Sequence, residues 1–373
     1  MIAGIIFFLL FILPFIIAPF GITQFENPKV IIAEAGIILL FLVSFFTTVA
    51  IRYKTPQFIL YCAIVFLTLV DILFFRTYLS IFGNEFRMQG VFLLWNLLLF
   101  SLLSSNISFK NVPWFIFGLL LLIELIAIFF LPLNASQRFV GTLGEPNALA
   151  GFAIFLWPFS FFAIKKFYTK EKIGMVFILL IVITILVLSN SRSAMIALGL
   201  QVIFISLQKF NLSTAKIVLV CLCLYIASFA FPFFENVPYE NRVQVWQAAL
   251  FAGTVNPVFG QGFGNVEIAL HNTTTRLNLP IQYYYVDSAH NLFLDWWVQG
   301  GIIGVGILVI LIYLTFLQFT KDDNRREFVL LFGMLTVLSF NPASVVGLLG
   351  FWWVIGQGWI NLSNHPLITP SVN

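Results

Sequence analysis

Long apolar segments separated by short polar ones follow one another along almost the entire chain. A helix that crosses a bilayer needs about 20 apolar residues, and twelve runs approach that length. They lie near residues 2–20, 30–50, 58–75, 90–106, 113–131, 147–164, 173–189, 194–208, 217–234, 290–318, 328–343 and 346–362. Strands of a membrane barrel alternate apolar and polar residues, and these runs do not. We therefore predict an all-α fold, a polytopic integral membrane helical bundle of about 12 transmembrane helices.

One polar connection is much longer than the others. Residues 235–289 are rich in Asn, Gln, Thr, Pro and Gly, and they include three consecutive tyrosines, Tyr283 to Tyr285. Long ordered loops are usually functional. The predicted organisation is helices one to nine in residues 1–234, an extracytoplasmic (periplasmic) loop at 235–289, helices ten to twelve in 290–362, and a short cytoplasmic tail at 363–373.

Composition excludes several classes of protein. Hydrophobic residues make up 61% of the chain and charged residues 9%, whereas soluble domains have roughly 45–50% and about 25%. A soluble enzyme, a nucleic-acid binder and a disordered protein are therefore excluded. The N-terminal run has no basic segment before it and no small-residue cleavage site, so we expect it to be a retained first span.

The basic residues predict the orientation of the helices, because cytoplasmic loops carry an excess of Lys and Arg. Twelve of the 19 basic residues lie in alternate loops, which we assign to the cytoplasm together with both termini: Arg52, Lys54, Lys110, Lys165, Lys166, Lys170, Lys172, Lys209, Lys216, Lys321, Arg325 and Arg326. The other loops hold Lys29, Arg76, Arg87, Arg138, Arg192, Arg242 and Arg276. This outer set is almost all Arg, the residue that binds carboxylate or phosphate with two parallel hydrogen bonds, which favours an anionic ligand on the outer face.

Two of the outer arginines are predicted to begin helices. Ser191 is a suitable N-cap before Arg192, and Asn241 is a plausible N-cap before Arg242. A cation at a helix N-terminus is unfavourable by roughly 0.3–1 kcal/mol. Two arginines at such positions indicate a binding site, in which backbone N–H groups and guanidinium groups together would hold a diphosphate. The alternative for each is an interfacial anchor to lipid headgroups.

His290 is the preferred candidate for a general base. Asp287 or Ser288 is expected to cap the tenth span, which would put His290 in its first turn and keep its ring neutral. A neutral imidazole can accept a proton from a hydroxyl, and Asp287 is near enough in sequence to orient it. His271, in the long loop, is the rival base.

Other features carry less chemistry. Asp71 and Glu124 lie within predicted spans, where they indicate either an ion path or, as we favour, carboxyls satisfied within the bundle. The segment GQGFGN at residues 260–265 predicts a tight turn. The sequence contains no phosphate-binding loop, no outer pair of aspartates and no HExxH motif. We therefore expect no metal and no cofactor.

An ordered set of motifs resembles the O-antigen ligase family, which includes O-antigen polymerases and bacterial protein O-oligosaccharyltransferases. Residues 242–306 carry it, with RVQVWQAALFAGTVNPVFGQGFGN followed by SAHNLFLDWWVQGGIIGVGIL. Upstream, GTLGEPNALAGF at residues 141–152 and SNSRSAMIAL also fit. The resemblance implies a GT-C-like bundle with one large outer loop between the ninth and tenth helices.

The resemblance also implies a function in polysaccharide and lipopolysaccharide biosynthesis. Such proteins transfer a glycan from undecaprenyl diphosphate to a hydroxyl of lipid A core, another glycan or a protein, on the outer side of the bacterial cytoplasmic (inner) membrane. By this resemblance, Arg192 and Arg242 bind the diphosphate and His290 acts on the acceptor, in a metal-independent, inverting reaction. Arg138, Arg276, Asp287 and Tyr284 are further candidates for binding glycan or acceptor. The expected partners are the lipid-linked donor, the acceptor and membrane lipid, with no nucleic acid.

Two other classes remain open. A 12-span transporter or lipid-linked glycan flippase would account for Asp71, Glu124 and the number of spans. Its long loop would be expected between the sixth and seventh spans, where this chain has only a short basic segment. A peptidoglycan-type polymerase is a third, weaker alternative. The product separates the first two classes, since only a transferase releases undecaprenyl diphosphate.

Overall fold

Helices and the turns between them, with no β-strand, make up the part of the chain that the structure describes. This computed structural model describes residues 1–46, 55–75, 77–105, 107–134, 137–164, 168–208, 210, 213–230, 242–277, 286–321 and 325–359. Within these ranges α1 (Ile2–Phe7) continues through a π-helical turn (Phe8–Ile12) and a 3-10 turn (Leu13–Phe15). The helices that follow are α2 (Glu26–Phe46), α3 (Pro56–Phe75), α4 (Tyr78–Phe82), α5 (Val91–Ser104), α6 (Trp114–Ile128), α7 (Pro146–Ala163), α8 (Thr169–Ser189), α9 (Arg192–Leu207), α10 (Thr214–Ser228), α11 (Arg242–Thr254), α12 (Val266–Leu277), α13 (Leu292–Lys321), α14 (Arg325–Phe340) and α15 (Val345–Gln357).

The predicted apolar runs coincide with helices. Each of the twelve runs overlaps one helix. The three remaining helices, α4, α11 and α12, lie in polar connections. Five helices, α2, α3, α7, α8 and α13, are long and apolar enough to cross a membrane by length and composition. The fold is therefore that of a helical, multi-pass membrane protein. The number of twelve crossings and their orientation remain predictions.

The outer surface of the bundle is as apolar as its interior. Phe46, Phe66 and Leu180, on α2, α3 and α8, expose 89%, 69% and 56% of their surface. A surface of this kind is unfavourable in water. It is compatible with lipid, because lipid tails are as apolar as these side chains. The surface is suited to lipid on the flanks of the bundle.

The helix α14 is the central element of the bundle. Its residues from Arg326 to Phe340 are all buried, and it packs against α7, α9, α13 and α15. Gln201 of α9 ties this centre together, because its side-chain amide donates to the Val329 carbonyl of α14 at 2.9 Å and accepts from Trp157 Nε1 of α7 at 2.6 Å. A helix buried on all sides cannot turn its polar ends to solvent, so protein groups must satisfy them.

The helix α13 is broken near its start. Gly301 has φ 58° and ψ −156°, which is not a helical conformation. The amide of Ile302 donates to the Pro257 carbonyl at 2.9 Å, and Gln261 N donates to the Val298 carbonyl at 2.7 Å. The Gly-rich turn predicted at residues 260–265 is therefore confirmed, and it satisfies the backbone groups that the break exposes.

One end of the bundle gathers hydrogen bonds from many different segments, and we call it the polar end. Side chains there join segments distant in sequence through the pairs Asn27–Glu85, Lys29–Thr142, Thr77–Asn265, Asn147–Ser191 and Ser193–Asn341. All these segments belong to the connections predicted to share one side of the membrane. The connection from α14 to α15, residues 341–344, lies among them and is here named the α14–α15 turn.

Replacing Gly301 by alanine should destabilise the fold. An added Cβ would lie 2.5 Å from the carbonyl carbon of Val258, and the backbone conformation of Gly301 belongs to a region that is essentially restricted to glycine. A non-glycine residue in such a conformation costs about 1–3 kcal/mol. The close contact adds to this, so we expect Gly301→Ala to lower the free energy of unfolding by more than that amount. Thermal unfolding of the purified protein in detergent, followed by tryptophan fluorescence, measures the change.

Gly306 of the same helix is the matched control. A Cβ added there meets no atom within 4 Å, and alanine is a better helix former than glycine by roughly 1 kcal/mol. Gly306→Ala should therefore leave the unfolding temperature unchanged or raise it. Equal effects of the two substitutions would contradict the assignment of the break to Gly301.

Candidate functional site

Arg192 lies at the first position of α9, as the sequence predicts, with Ser191 as N-cap residue. The Ser191 hydroxyl does not cap the helix, because it donates to Asn147 Oδ1 at 3.1 Å. The Ser193 hydroxyl accepts from Asn341 Nδ2 at 2.6 Å. These contacts fix the first turn of α9 against the α14–α15 turn, while the side chain of Arg192 is exposed.

Arg138, predicted to bind glycan or acceptor, is bonded to the segment just before α9. Its Nε donates to the Ser189 carbonyl at 2.8 Å, and one terminal nitrogen donates to the Asn190 carbonyl at 3.2 Å and to Asn147 Oδ1 at 3.0 Å. Ser189 and Asn190 form the C-terminal end of α8, where carbonyls have no helical partner. Arg138 therefore positions the turn from which Arg192 projects, and its contact with substrate remains a prediction.

Arg242 begins α11, again as predicted, and is half-buried. Its predicted cap, Asn241, lies outside the described residues. One turn further, the Trp246 ring lies 6.1 Å from the Phe340 ring, measured between centroids. Phe340 is the last residue of α14 and directly precedes Asn341, which binds the first turn of α9. The first turn of α9 and the second turn of α11 therefore lie at the same end of α14.

The expectation that His290 lies in the first turn of a helix is wrong. The helix α13 begins at Leu292, and Asn291 is its cap, because Asn291 Oδ1 accepts from the amides of Phe293 at 2.9 Å and Leu294 at 3.2 Å. Asp287 and Ser288, the caps that the sequence suggested, have other partners. His290 therefore precedes the helix, so a first-turn position gives no reason for its imidazole ring to stay neutral.

The backbone of His290 is in an unusual conformation. Its φ is 54°, in the left-handed region that non-glycine residues seldom adopt. Bonds on both sides hold it, since His290 N donates to Ser288 Oγ at 3.0 Å and Ala289 N donates to Asp295 Oδ1 at 2.7 Å. Conformations of this kind cluster at functional sites. This observation favours His290 over His271.

The remaining predicted site residues in the long loop are less constrained. His271 is exposed on α12, in regular helix, and Arg276 is exposed in the last turn of that helix. Tyr284, with its neighbours Tyr283 and Tyr285, lies outside the described residues. Their roles remain predictions.

The polar end also contains a half-buried charge cluster that sequence reasoning missed. Its members are Arg87, Asp287, Glu145 and Glu26, and we call it the Arg87 cluster. Arg87 Nε donates to Asp287 Oδ2, and one terminal nitrogen lies 3.5 Å from Glu145 Oε2. Glu26 Oε1 accepts from the amide of Val345, the first residue of α15, at 2.6 Å. Asp287, expected to orient His290 and bind substrate, is thus paired with Arg87.

The α14–α15 turn supports this cluster. The Ala343 carbonyl accepts from Gln89 Nε2 at 2.6 Å and from an Arg87 terminal nitrogen at 3.3 Å. Arg87 therefore joins the carboxylates of two loops to the same turn that contacts the first turn of α9. Two features of the sequence are consistent with this cluster. Arg87 is one of the outer arginines, and Glu145 lies in the stretch GTLGEPNALAGF.

Electrostatics in the Arg87 cluster favour a charged arginine. Burial alone would lower the pKa of Arg87, but the carboxylates of Asp287, Glu145 and Glu26 outweigh this, so the pKa is raised above its usual range. Burial raises the pKa of Glu145, and Arg87 only partly opposes this shift. Among the residues the structure describes, no group of three or more His, Cys, Asp or Glu side chains is arranged to hold a metal ion.

The two acids within the predicted spans have partners in the protein. Glu124 accepts hydrogen bonds from the amide and hydroxyl of Thr142, each at 2.7 Å. Asp71 accepts one from the backbone N–H of Phe263, in the Gly-rich turn, but its Oδ2 is buried without a hydrogen-bond partner among the described residues. These contacts favour the interpretation of Glu124 as a carboxyl satisfied within the bundle and leave both interpretations of Asp71 open.

Removing the charge of Arg87 should destabilise the protein strongly. Arg87→Met would leave Asp287 and Glu145 without their cation. Because these side chains are 13–27% exposed, the cost should lie between the about 1 kcal/mol of an exposed pair and the about 3–5 kcal/mol of a fully buried one. Arg276→Met, at an exposed helix end, is the control and should cost less than about 1 kcal/mol. Thermal unfolding in detergent compares the two. A similar loss for both substitutions would contradict the structural role of Arg87.

Comparison with known proteins agrees with the motifs. A 93-residue segment is 26% identical to an uncharacterized protein of Haemophilus influenzae; it covers 25% of this chain and only 23% of that relative. Residues 177–309 match the sequence profile of the family described as O-antigen ligase. The match includes Arg192, Arg242 and His290 and leaves out the Arg87 cluster except for Asp287. Residues 177–309 therefore belong to the O-antigen ligase family, the family that the sequence motifs indicate.

Proposed function

We propose that this protein is a membrane glycosyltransferase of the ligase or polymerase type. It transfers a glycan from undecaprenyl diphosphate to a hydroxyl acceptor at the outer face of the bacterial cytoplasmic membrane. The observation that carries the proposal is that the O-antigen ligase match, residues 177–309, contains all three predicted catalytic residues. The contacts of Ser193 with Asn341 and of Trp246 with Phe340 support it, because both lie near the predicted arginines and at the same end of α14.

The two arginines act on the leaving group in this proposal. As the bond between the anomeric carbon and the phosphate oxygen breaks, its electron pair moves to the diphosphate. Guanidinium groups of Arg192 and Arg242 neutralise this charge through paired hydrogen bonds, each worth roughly 1.5–3 kcal/mol to a charged group. The reaction then needs no metal to stabilise the leaving group.

His290 acts on the acceptor. A ring nitrogen takes the proton of the acceptor hydroxyl while the hydroxyl oxygen forms the new bond to the anomeric carbon. A single displacement of this kind inverts the configuration at that carbon. Undecaprenyl diphosphate is the second product. The strained backbone of His290 supports the role, because hydrogen bonds to Ser288 and Asp295 hold the segment that carries the ring just before α13.

The alternative is a flippase that moves the intact lipid-linked glycan. The hydrogen bonds of Glu124 remove one of the two observations that favoured an ion path. Reconstituted vesicles with labelled donor distinguish the two functions. We expect release of undecaprenyl diphosphate when acceptor is present. Movement of intact donor across the bilayer without release would overturn the proposal.

The histidines provide the first test. We expect His290→Ala to lower kcat by about 100- to 10,000-fold, as for loss of a general base, and His271→Ala to change it less than about twofold. Release of undecaprenyl diphosphate by purified protein, without added divalent metal, measures both. The assignment fails if His271→Ala is the more damaging substitution, or if neither has an effect.

The arginines provide the second test. Lysine keeps the charge but cannot form two parallel hydrogen bonds, so Arg192→Lys and Arg242→Lys should each slow transfer by about 10- to 100-fold. Arg325→Lys, an exposed arginine that begins α14, is the matched control and should retain activity. Near-normal transfer by both lysine variants would exclude the bidentate role.

A further inference from the structure

A cleft of about 280 Å³ opens beside the Arg87 cluster at the polar end. The residues around it that matter here are Glu26, Phe86, Arg87, Glu145 and Asp287. This volume is slightly below the roughly 300–1,000 Å³ of pockets for drug-sized ligands, and it suits a single sugar unit rather than a long chain. The lining residues come from the segments before α2, α5, α7 and α13, so only the folded bundle forms the cleft.

The charge of the cleft excludes a phosphate ligand. It has three carboxyl groups, on Glu26, Glu145 and Asp287, and one guanidinium, on Arg87. Arg87 is already engaged with Asp287 and Glu145. An anion placed here would face uncompensated like charge. The lipid diphosphate of the proposed donor therefore belongs near Arg192 and Arg242, and the cleft is suited to a different ligand.

The same groups suit the hydroxyls of a sugar. An ionised carboxyl has about four lone-pair positions. Glu26 Oε1 accepts one bond, from Val345 N, and Asp287 Oδ2 accepts one from Arg87. The remaining positions can accept hydrogen bonds from neighbouring hydroxyl groups. Phe86, which is 38% exposed, adds an aromatic ring whose electron-rich face attracts the C–H groups of a sugar.

The cleft is also close in sequence to the candidate base. Asp287 lines the cleft, the next residue Ser288 accepts the bond from His290 N at 3.0 Å, and a smaller cavity of about 50 Å³ is lined by both Asp287 and Ser288. A sugar bound at Asp287 would present its hydroxyls toward the segment that carries His290. Carboxylates, a guanidinium and an aromatic ring thus surround a space next to the proposed proton acceptor.

We propose that this cleft binds a sugar unit of the acceptor, so that the acceptor hydroxyl belongs to a carbohydrate rather than to a protein. The proposal rests on the proposed transferase function and names its acceptor class. It also separates the two substrates, with the donor diphosphate at the arginines of α9 and α11 and the acceptor sugar at the Arg87 cluster.

A binding measurement tests the cleft without requiring transfer. Wild-type protein in lipid nanodiscs would be equilibrated with a panel of tritiated methyl glycosides, a serine-containing peptide and Ca²⁺ or Mg²⁺. We expect saturable binding of at least one glycoside. Glu145→Gln and Phe86→Leu should weaken it about tenfold, as for one lost hydrogen bond to a charged group or one aromatic contact. Glu85→Gln, an exposed acid in the same loop as Phe86, is the matched control and should bind normally.

Transfer kinetics then separate this inference from the proposed function. With an undecaprenyl-diphosphate-linked oligosaccharide as donor, we expect Glu145→Gln and Phe86→Leu to raise the KM for the acceptor about tenfold and to leave the KM for the donor unchanged. An unchanged acceptor KM in an active enzyme would overturn the cleft assignment alone. Glycoside binding without any release of undecaprenyl diphosphate would overturn the function and leave the sugar site standing. Binding of the peptide or the divalent cation in place of the glycosides, or of no probe, would overturn the inference.

Discussion

The polar groups of this protein must find their partners within the protein, because lipid supplies none. The constraint is most severe for α14, which is buried along its length, and whose C-terminal end therefore has to be closed by other segments. Asn341 Nδ2 contributes to that closure by donating to the Val337 carbonyl of α14 and to Ser193 Oγ, and the Ala343 carbonyl in the same turn accepts from Gln89 and Arg87. The candidate site is built on these contacts, so the hydrogen bonding of one buried helix end organises the groups that surround it.

At the polar end, the acids and the two candidate arginines belong to separate segments. Three acids lie around Arg87, at the start of α2 and in the segments before α7 and α13, whereas Arg192 and Arg242 lie at the starts of α9 and α11. A transferase with a charged donor and an uncharged acceptor benefits from this separation, since each substrate is disfavoured at the other position. Specificity would then come from repulsion as well as from attraction.

Sequence reasoning identified features that depend on neighbouring residues. The helices follow from apolar runs, and Arg192 and Arg242 begin helices because small polar residues precede hydrophobic ones. The position of His290 was wrong because Asp287, Ser288 and Asn291 are all acceptable caps, and a distant residue decides between them. Arg87 donates a hydrogen bond to Asp287, which then does not cap the helix, and the two residues are 200 positions apart in sequence. Pairing of this kind has no local pattern, so the Arg87 cluster and its cleft needed the structure.

The bond from Val345 N to Glu26 Oε1 joins residues 319 positions apart. At a synthesis rate of about 5–20 residues per second, roughly 15–60 s pass between the appearance of these two residues. During that time the carboxyl of Glu26 has no helix end to cap, and the last helix has not reached the bilayer. The polar end is therefore completed only after insertion is complete. A chain interrupted before its final helix would leave the carboxyl of Glu26 without the Val345 amide, and a membrane protease could distinguish it from the finished protein by that loosely packed end.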